Sequence, residues 1–334
     1  MSTVLEHPRA KIEIEELPNQ KRKVAVEPSA SDLFIFRSDV ETDYSLDLIA
    51  AILEHKGPSY LCDEIARDED TAYVKLPLEY LILGHVAPEA LSGKRLLDFG
   101  CGSGSSTIHL AKMFPDTEII GVELCAKSLE IANLKAKHHQ LNNVRFLLSP
   151  SGDELPENIG EFDFILLSAV YEHLLPDERP TVLAQLWSRL SPEGIIFFNE
   201  TPHRYFPIET HTTQLPGINY LPDSLALFCA RRFSSRVAAD ETWESLLRKG
   251  IRGGTEKEIV ELIRTTCQEK PMILEPKRLG MKDRIDLKYA DFPHLSWKRK
   301  LLKVLLRTMK FCSGYAYGSL VVMAIQKPVK REQQ

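Results

Sequence analysis

A chain of 334 residues suits one large domain with additions, or two domains, and 43% hydrophobic with 27% charged content is ordinary for a globular protein. A net charge of -5 lacks the basic excess of a nucleic-acid binder, so no nucleic-acid partner is expected. The N-terminal stretch MSTVLEHPRAKIEIEELPNQ is too polar for a signal peptide, no apolar run reaches the length of a spanning helix, and the cysteines form no C-x-x-C pair, so reduced thiols in a cytoplasm are expected and a zinc site is not.

Residues 1–31 mix charges and prolines with few large apolar groups, which predicts a mobile tail with short structure around Lys11–Glu16. Ser31–Asp32 offers a cap before Leu33–Phe36. Apolar residues recur at helical spacing over Asp43–Leu53, and Pro77–Ala87 reads as a second helix. Residues 32–92 are thus a helical layer, either covering the ligand cleft or simply packed on the sheet. The stretch RLLDFGCGSGSSTIHLAKMFPDTEIIGVEL at 95–124 follows. It reads as a strand (Arg95–Phe99), a turn opened by Gly100, Gly102 and Gly104, a helix (Ser105–Met113), a strand (Thr117–Val122) and an acid, Glu123.

A helix over Ala126–Gln140, broken by Asn142-Asn143, leads to strands at Val144–Leu148 and Glu161–Ala169. Arg179–Leu190 is a helix, 191–194 a turn and Gly194–Asn199 a fifth strand. Thr255–Thr266 is a helix whose Thr255 and Glu258 have capping-box spacing. Pro271–Glu275 and Ser319–Gln326 complete the strands. Strands alternating with helices predict an α/β fold, a doubly wound Rossmann-like sheet of seven mainly parallel strands with helices on both faces. The division expected is a tail (1–31), a helical layer (32–92), a ligand-binding core (93–200), an insertion (201–254) and a C-terminal part of the sheet (255–334).

The glycines at 100–104 let backbone approach a ligand, and Glu123, about 20 residues on, can accept hydrogen bonds from both hydroxyls of a ribose. A dinucleotide site, and with it a nicotinamide-dependent oxidoreductase, would need a third glycine where this chain has Ser105. Asp98 inside the loop suits a ligand with a positive group. LLDFGCGSG resembles the first motif of class I S-adenosylmethionine-dependent methyltransferases, hh[DE]hGxGxG. The resemblance implies S-adenosylmethionine as cofactor, with Gly100, Gly102 and Gly104 lining its pocket, Asp98 orienting its methionine amino end and Glu123 holding its ribose. It also places an adenine contact in SPSGDELP (149–156), on Ser151 or on Asp153; a capped turn without ligand is the other reading.

Val170-Tyr171-Glu172-His173-Leu174 resembles the E-V-h-E-H-h stretch of quinone-type and other small-molecule methyltransferases, with Ala169 in place of the first acid. Some members hold a divalent metal with the full acidic set, and its incompleteness here predicts no metal. His173 suits proton removal from a hydroxyl, against a histidine that caps or shapes the pocket. The proline-rich stretch 200–227 follows the fifth strand, where an insertion builds an acceptor pocket. Glu200, His203, Arg204, Glu209 and His211 are its candidates. Arg231, Arg232 and Arg236 are a solvated face or an anion site. Together these imply methyl transfer to a small-molecule or carrier-bound acceptor, at oxygen, with His173, His211 and Glu172 in catalysis; a binder without turnover is the other class. Trp297–Phe311 has Lys298, Arg299, Lys300, Lys303, Arg307 and Lys310 on one side of a helical wheel. It is a cover for the sheet with a solvated basic face, or a helix at a membrane surface.

Overall fold

The computed structural model of the chain describes residues 2–29, 32–290 and 296–329; Ser31 of the expected cap lies outside them. Its beginning corrects the expected tail. β1 (Ser2–His7), β2 (Ala10–Glu16), β3 (Arg22–Pro28) and β4 (Asp39–Thr42) form a four-stranded antiparallel sheet in sequence order. A period of two produces it. Ala10, Ile12, Ile14, Val24 and Val26 are buried, while Lys11, Glu13, Lys23 and Glu27 between them keep solvent contact. α1 (Leu46–Lys56) starts where the Ser45 hydroxyl accepts from the Leu48 N–H. With α2 (Leu61–Glu69) it closes over this sheet through Leu48, Ile49, Ile52, Ile65 and Ala66.

After α3 (Lys75–His85) come β5 (Arg95–Phe99), α4 (Ser105–Met113), β6 (Glu118–Glu123), α5 (Ala126–His138), β7 (Val144–Leu148), β8 (Phe162–Ser168), α6 (Glu178–Arg189) and β9 (Leu190–Pro202). All four pairings among these strands are parallel. The expected turn at 191–194 is instead a bulge within β9. Its pairing with β8 slips from Phe162–Leu190 to Phe164–Ile195, with Glu193 at φ 62°. The remainder is α7 (Asp223–Phe233), α8 (Trp243–Arg248), α9 (Glu256–Cys267), β10 (Met272–Leu274), α10 (Arg284–Leu287), α11 (Trp297–Ser313) and β11 (Leu320–Gln326). The Thr255 hydroxyl caps α9, but Glu258 turns to Tyr171 and Arg179, so only half of the capping box forms.

β11 runs antiparallel between β9 and β10, giving the seven-stranded order β10-β11-β9-β8-β5-β6-β7. Leu97, Phe99, Val122, Leu167 and Phe198 pack on one face against α6 and α9; Leu96, Ile119, Leu166 and Phe197 pack on the other against α3 and α4. Strand order reverses between β5 and β8, and open parallel sheets place ligands beyond the carboxyl ends of their strands at that point.

A buried lysine ties the N-terminal unit to this sheet. Lys135 of α5 bonds Glu64 and Asp68 of α2 at 2.7 and 2.6 Å and Ser105 of α4 at 3.1 Å, with its side chain fully buried. Lys135→Met strands two buried carboxylates and is expected to cost about 3–5 kcal/mol in urea unfolding. A loss below about 1 kcal/mol would contradict this role.

Candidate active site

The glycine loop is clamped from two sides. The Gly100 and Cys101 N–H groups both donate to the Val122 carbonyl, at 2.8 and 3.0 Å. The Gly102 N–H donates to Glu123 Oε2 and the Cys125 N–H to Oε1, each at 3.0 Å, so one carboxylate fixes the loop and the turn after β6 together. Gly102 stands at φ +55°, and a Cβ there would meet nothing within 4 Å: the space above its backbone is open. Gly104 (φ +85°) has another task. A Cβ there would lie 2.8 Å from the Ala132 Cβ and 3.3 Å from Phe146, so it serves the packing of the loop on α5 and β7.

Asp98 is buried and accepts from Ser106 Oγ and Thr107 Oγ1, both at 2.6 Å. Burial pushes its pKa up to about 6 against the pull of those hydroxyls. It fastens the loop to the first turn of α4.

Two cavities flank the loop, and Gly100 and Ala169 line both. The first, about 360 Å³, is also lined by Phe99, Glu123, Leu124, Ser151, Val170, His173 and Arg248. The second, about 410 Å³, is lined by Gly102, Ser106 and Glu200 and by Lys56, Tyr60, Asp63, Glu64 and Arg67 of the N-terminal helices and their junction. The helical layer therefore reaches the cleft. Asp98, Gly104, Asp153, Glu172 and His211 line neither cavity. Of the two adenine candidates Ser151 faces the first cavity and donates to Asp153 Oδ1 at 2.8 Å.

Beyond β8, His173 donates its Nδ1–H to the Arg248 carbonyl at 2.7 Å, because that oxygen can only accept. Nε2 is left as the acceptor. Burial holds His173 below the ordinary histidine range, and burial with the neighbouring His173 does the same for His211. The two rings lie 5.5 Å apart between centroids. Glu172 sits beneath them, fully buried. Its Oε2 accepts from Thr201 Oγ1 at 3.1 Å, and its Oε1, 3.9 Å from His173 Nε2, has no hydrogen-bond partner. Burial pushes Glu172 up to about 8, so at neutral pH it is a protonated acid. Candidate ligand atoms of Glu172, His173 and His211 lie within 4.8 Å of one another; the expectation of no metal has this cluster beside it.

The insertion candidates divide. Glu209 organises its own turn, accepting from the N–H groups of His211, Thr212 and Thr213 and from the Thr213 hydroxyl. Arg204 donates to the Asn219 carbonyl, and His203 Nδ1 accepts from the Tyr205 N–H, with burial pushing that imidazole down to about 4. Glu200 alone of the five lines a cavity at the loop. Arg231, Arg232 and Arg236 are exposed, as a solvated face would be; Arg248, paired with Glu178, lines the first cavity instead, and Gly250 packs against His211 and Glu172. Neither carries a sequence signal, since α8 approaches the cleft only in the folded chain.

Residues 96–194 match a family model described as a methyltransferase domain. This chain carries a class I S-adenosylmethionine-dependent methyltransferase domain. Trans-aconitate 2-methyltransferase of Deinococcus radiodurans is 37% identical over 102 residues, 30% of this chain and 36% of that protein. Ubiquinone biosynthesis O-methyltransferase of Acinetobacter baylyi is 28% identical over 118 residues, 34% of this chain and 48% of that one. The chain thus spans less than half the length of these curated relatives. Among solved structures, PKMT2 from Rickettsia typhi with AdoHcy aligns at 16% identity and TM-score 0.45, over 78% of this chain and 54% of that one.

The cofactor of the methyltransferase domain is S-adenosylmethionine. The open space over Gly102, the Glu123 carboxylate at the cavity edge and a cavity on each side of Gly100 fit such a ligand. Gly104→Ala is expected to weaken S-adenosylmethionine binding about tenfold or more and to destabilise the fold by about 1–3 kcal/mol, because both the φ and the Ala132 contact must change. Calorimetry and urea unfolding read the two effects; a variant unchanged in both would contradict the packing role.

Proposed function

We propose that this chain methylates an oxygen of a small-molecule or carrier-bound acceptor, glycan, lipid or natural product in class, with His173 as the base. The observation that carries this reading is the His173–Arg248 hydrogen bond, which leaves Nε2 as the acceptor of a residue that lines the same cavity as Glu123 and Gly100. Two relatives are named for small-molecule methyl transfer, one of them an O-methyltransferase.

Bound S-adenosylmethionine supplies an electrophilic methyl group. Glu123 would hold the ribose hydroxyls with the lone pairs that Gly102 and Cys125 leave, and Ser151 would contribute to the adenine end. In the second cavity Lys56 and Arg67 offer cations, and Asp63 an anion, to the two charges of the methionine end. Catalysis is then largely alignment of acceptor oxygen, methyl and sulfur. His173 Nε2 would take the proton of the acceptor hydroxyl while the oxygen–methyl bond forms and the methyl–sulfur bond breaks, the thioether leaving as S-adenosylhomocysteine. A protonated Glu172 keeps negative charge away from the pair, so neither imidazole is drawn to its charged form at neutral pH. His211 is the second base candidate.

His173→Ala is expected to lower kcat by about 10²–10⁴-fold with S-adenosylmethionine affinity largely kept. Retention of full turnover would move the base to His211 or remove the need for one. The pH profile should show an acid limb below the ordinary histidine value of 6.5, where His173 gains its proton. A second change should fall near pH 8, where Glu172 loses its own. Glu172→Gln should keep neutral-pH activity and abolish the change near 8; a profile that still bends there would assign it to another group.

A further inference from the structure

The basic side of α11 is not the solvated face that its wheel suggests. Lys303 pairs with Asp286, Arg307 with Asp283 and Asp286 at 3.0 and 2.8 Å, and Lys310 with Glu275 at 2.9 Å. Leu306, on the same side, is buried. The ion pairs dock the helix with its cations inward, and its apolar side looks out. Trp297, Leu301, Val304, Leu305, Met309 and Phe311 are exposed, Trp297 by 71% and Phe311 by 90%. A contiguous outward face of that kind marks an interaction site.

Charge identifies the occupant. α11 contains no acid, in a chain of net charge -5. Lys298 and Lys300 are exposed; at 100° per residue Lys300 falls on one margin of the apolar face and Lys298 within it, between Leu305 and Met309. Neither makes an ion pair with the described residues; Lys298 lies 5.8 Å from the Trp297 ring. Both stand in the first turn of the helix, at the positive end of its dipole, where added cations are unfavourable alone and favourable against anions. Lysines are depleted in protein–protein interface cores, whereas an apolar stripe that carries lysines at its start and is opened by a tryptophan matches the boundary between anionic headgroups and acyl chains.

We propose that α11 lies in the interface of an anionic lipid bilayer, its apolar face at the acyl boundary and Lys298 and Lys300 at the headgroups. Apolar burial and cation attraction are the two signals that reversible anchoring requires. The contact rests on neither the acceptor nor the base assigned above.

The test is co-sedimentation of the full chain with vesicles of phosphatidylcholine alone and of an equal mixture of phosphatidylserine and phosphatidylcholine, with size measurement by light scattering. The expected result is binding to the mixed vesicles at least about tenfold tighter than to the neutral ones, weakened by salt. Leu301→Glu with Leu305→Glu should abolish it, and Lys298→Ser with Lys300→Ser should weaken it about tenfold, while both variants keep the circular-dichroism spectrum and S-adenosylmethionine affinity. The exposed lysine pair keeps the test valid should the leucine variant misfold. Absence of binding, equal binding to both vesicles, or a dimer that Leu301→Glu with Leu305→Glu splits to monomers would each overturn the proposal, the last by assigning the face to a second copy.

Discussion

The site depends on the Glu123 carboxylate. Its two oxygens hold the N–H groups of Gly102 and Cys125, and so join the loop after β5 to the turn after β6. Without that bridge the loop would keep the Val122 carbonyl, the Asp98 contacts and the Ser103–Glu64 hydrogen bond, but would lose its tie to the turn after β6. The same acid stands at the edge of the first cavity. One group therefore shapes the loop and presents acceptors to whatever the cavity receives, which is a preorganised arrangement rather than one assembled on binding.

Burial does the electrostatic work around it. Asp98 and Glu172 are pushed upward and His173 and His211 downward, in each case with burial the first cause. In the region beyond β8 burial thus favours the uncharged form of both imidazoles and of the acid. Ion pairing is concentrated elsewhere, in the Lys135 cluster and beneath α11. The second cavity borders the ion-paired region, since Glu64 belongs to the Lys135 cluster and also lines that cavity.

The main sheet was legible because β5, β6 and β8 are short apolar runs bounded by turn residues and followed by helices. Arg95–Phe99, Ser105–Met113 and Val144–Leu148 have the bounds read from sequence. Of the N-terminal sheet only short structure around Lys11–Glu16 was read from sequence, although KIEIE alternates strictly; charge and prolines outweighed the period of two. α2 was missed because Asp63 and Glu64 look like solvent-facing acids and are buried in an ion network that only tertiary structure supplies. Glycine spacing identified the loop but not the division of labour within it, since the role of Gly104 is set by Ala132 and Phe146, distant in sequence. The contribution of Arg248 and the inward turn of the α11 cations were beyond sequence for the same reason.

The most direct measurement is calorimetric titration of the full chain with S-adenosylmethionine, S-adenosylhomocysteine and NADH, in parallel with Glu123→Ala. The account predicts micromolar binding of both adenosyl ligands, strongly weakened in the variant, and none of NADH. Binding of NADH, or adenosyl binding indifferent to Glu123, would contradict it.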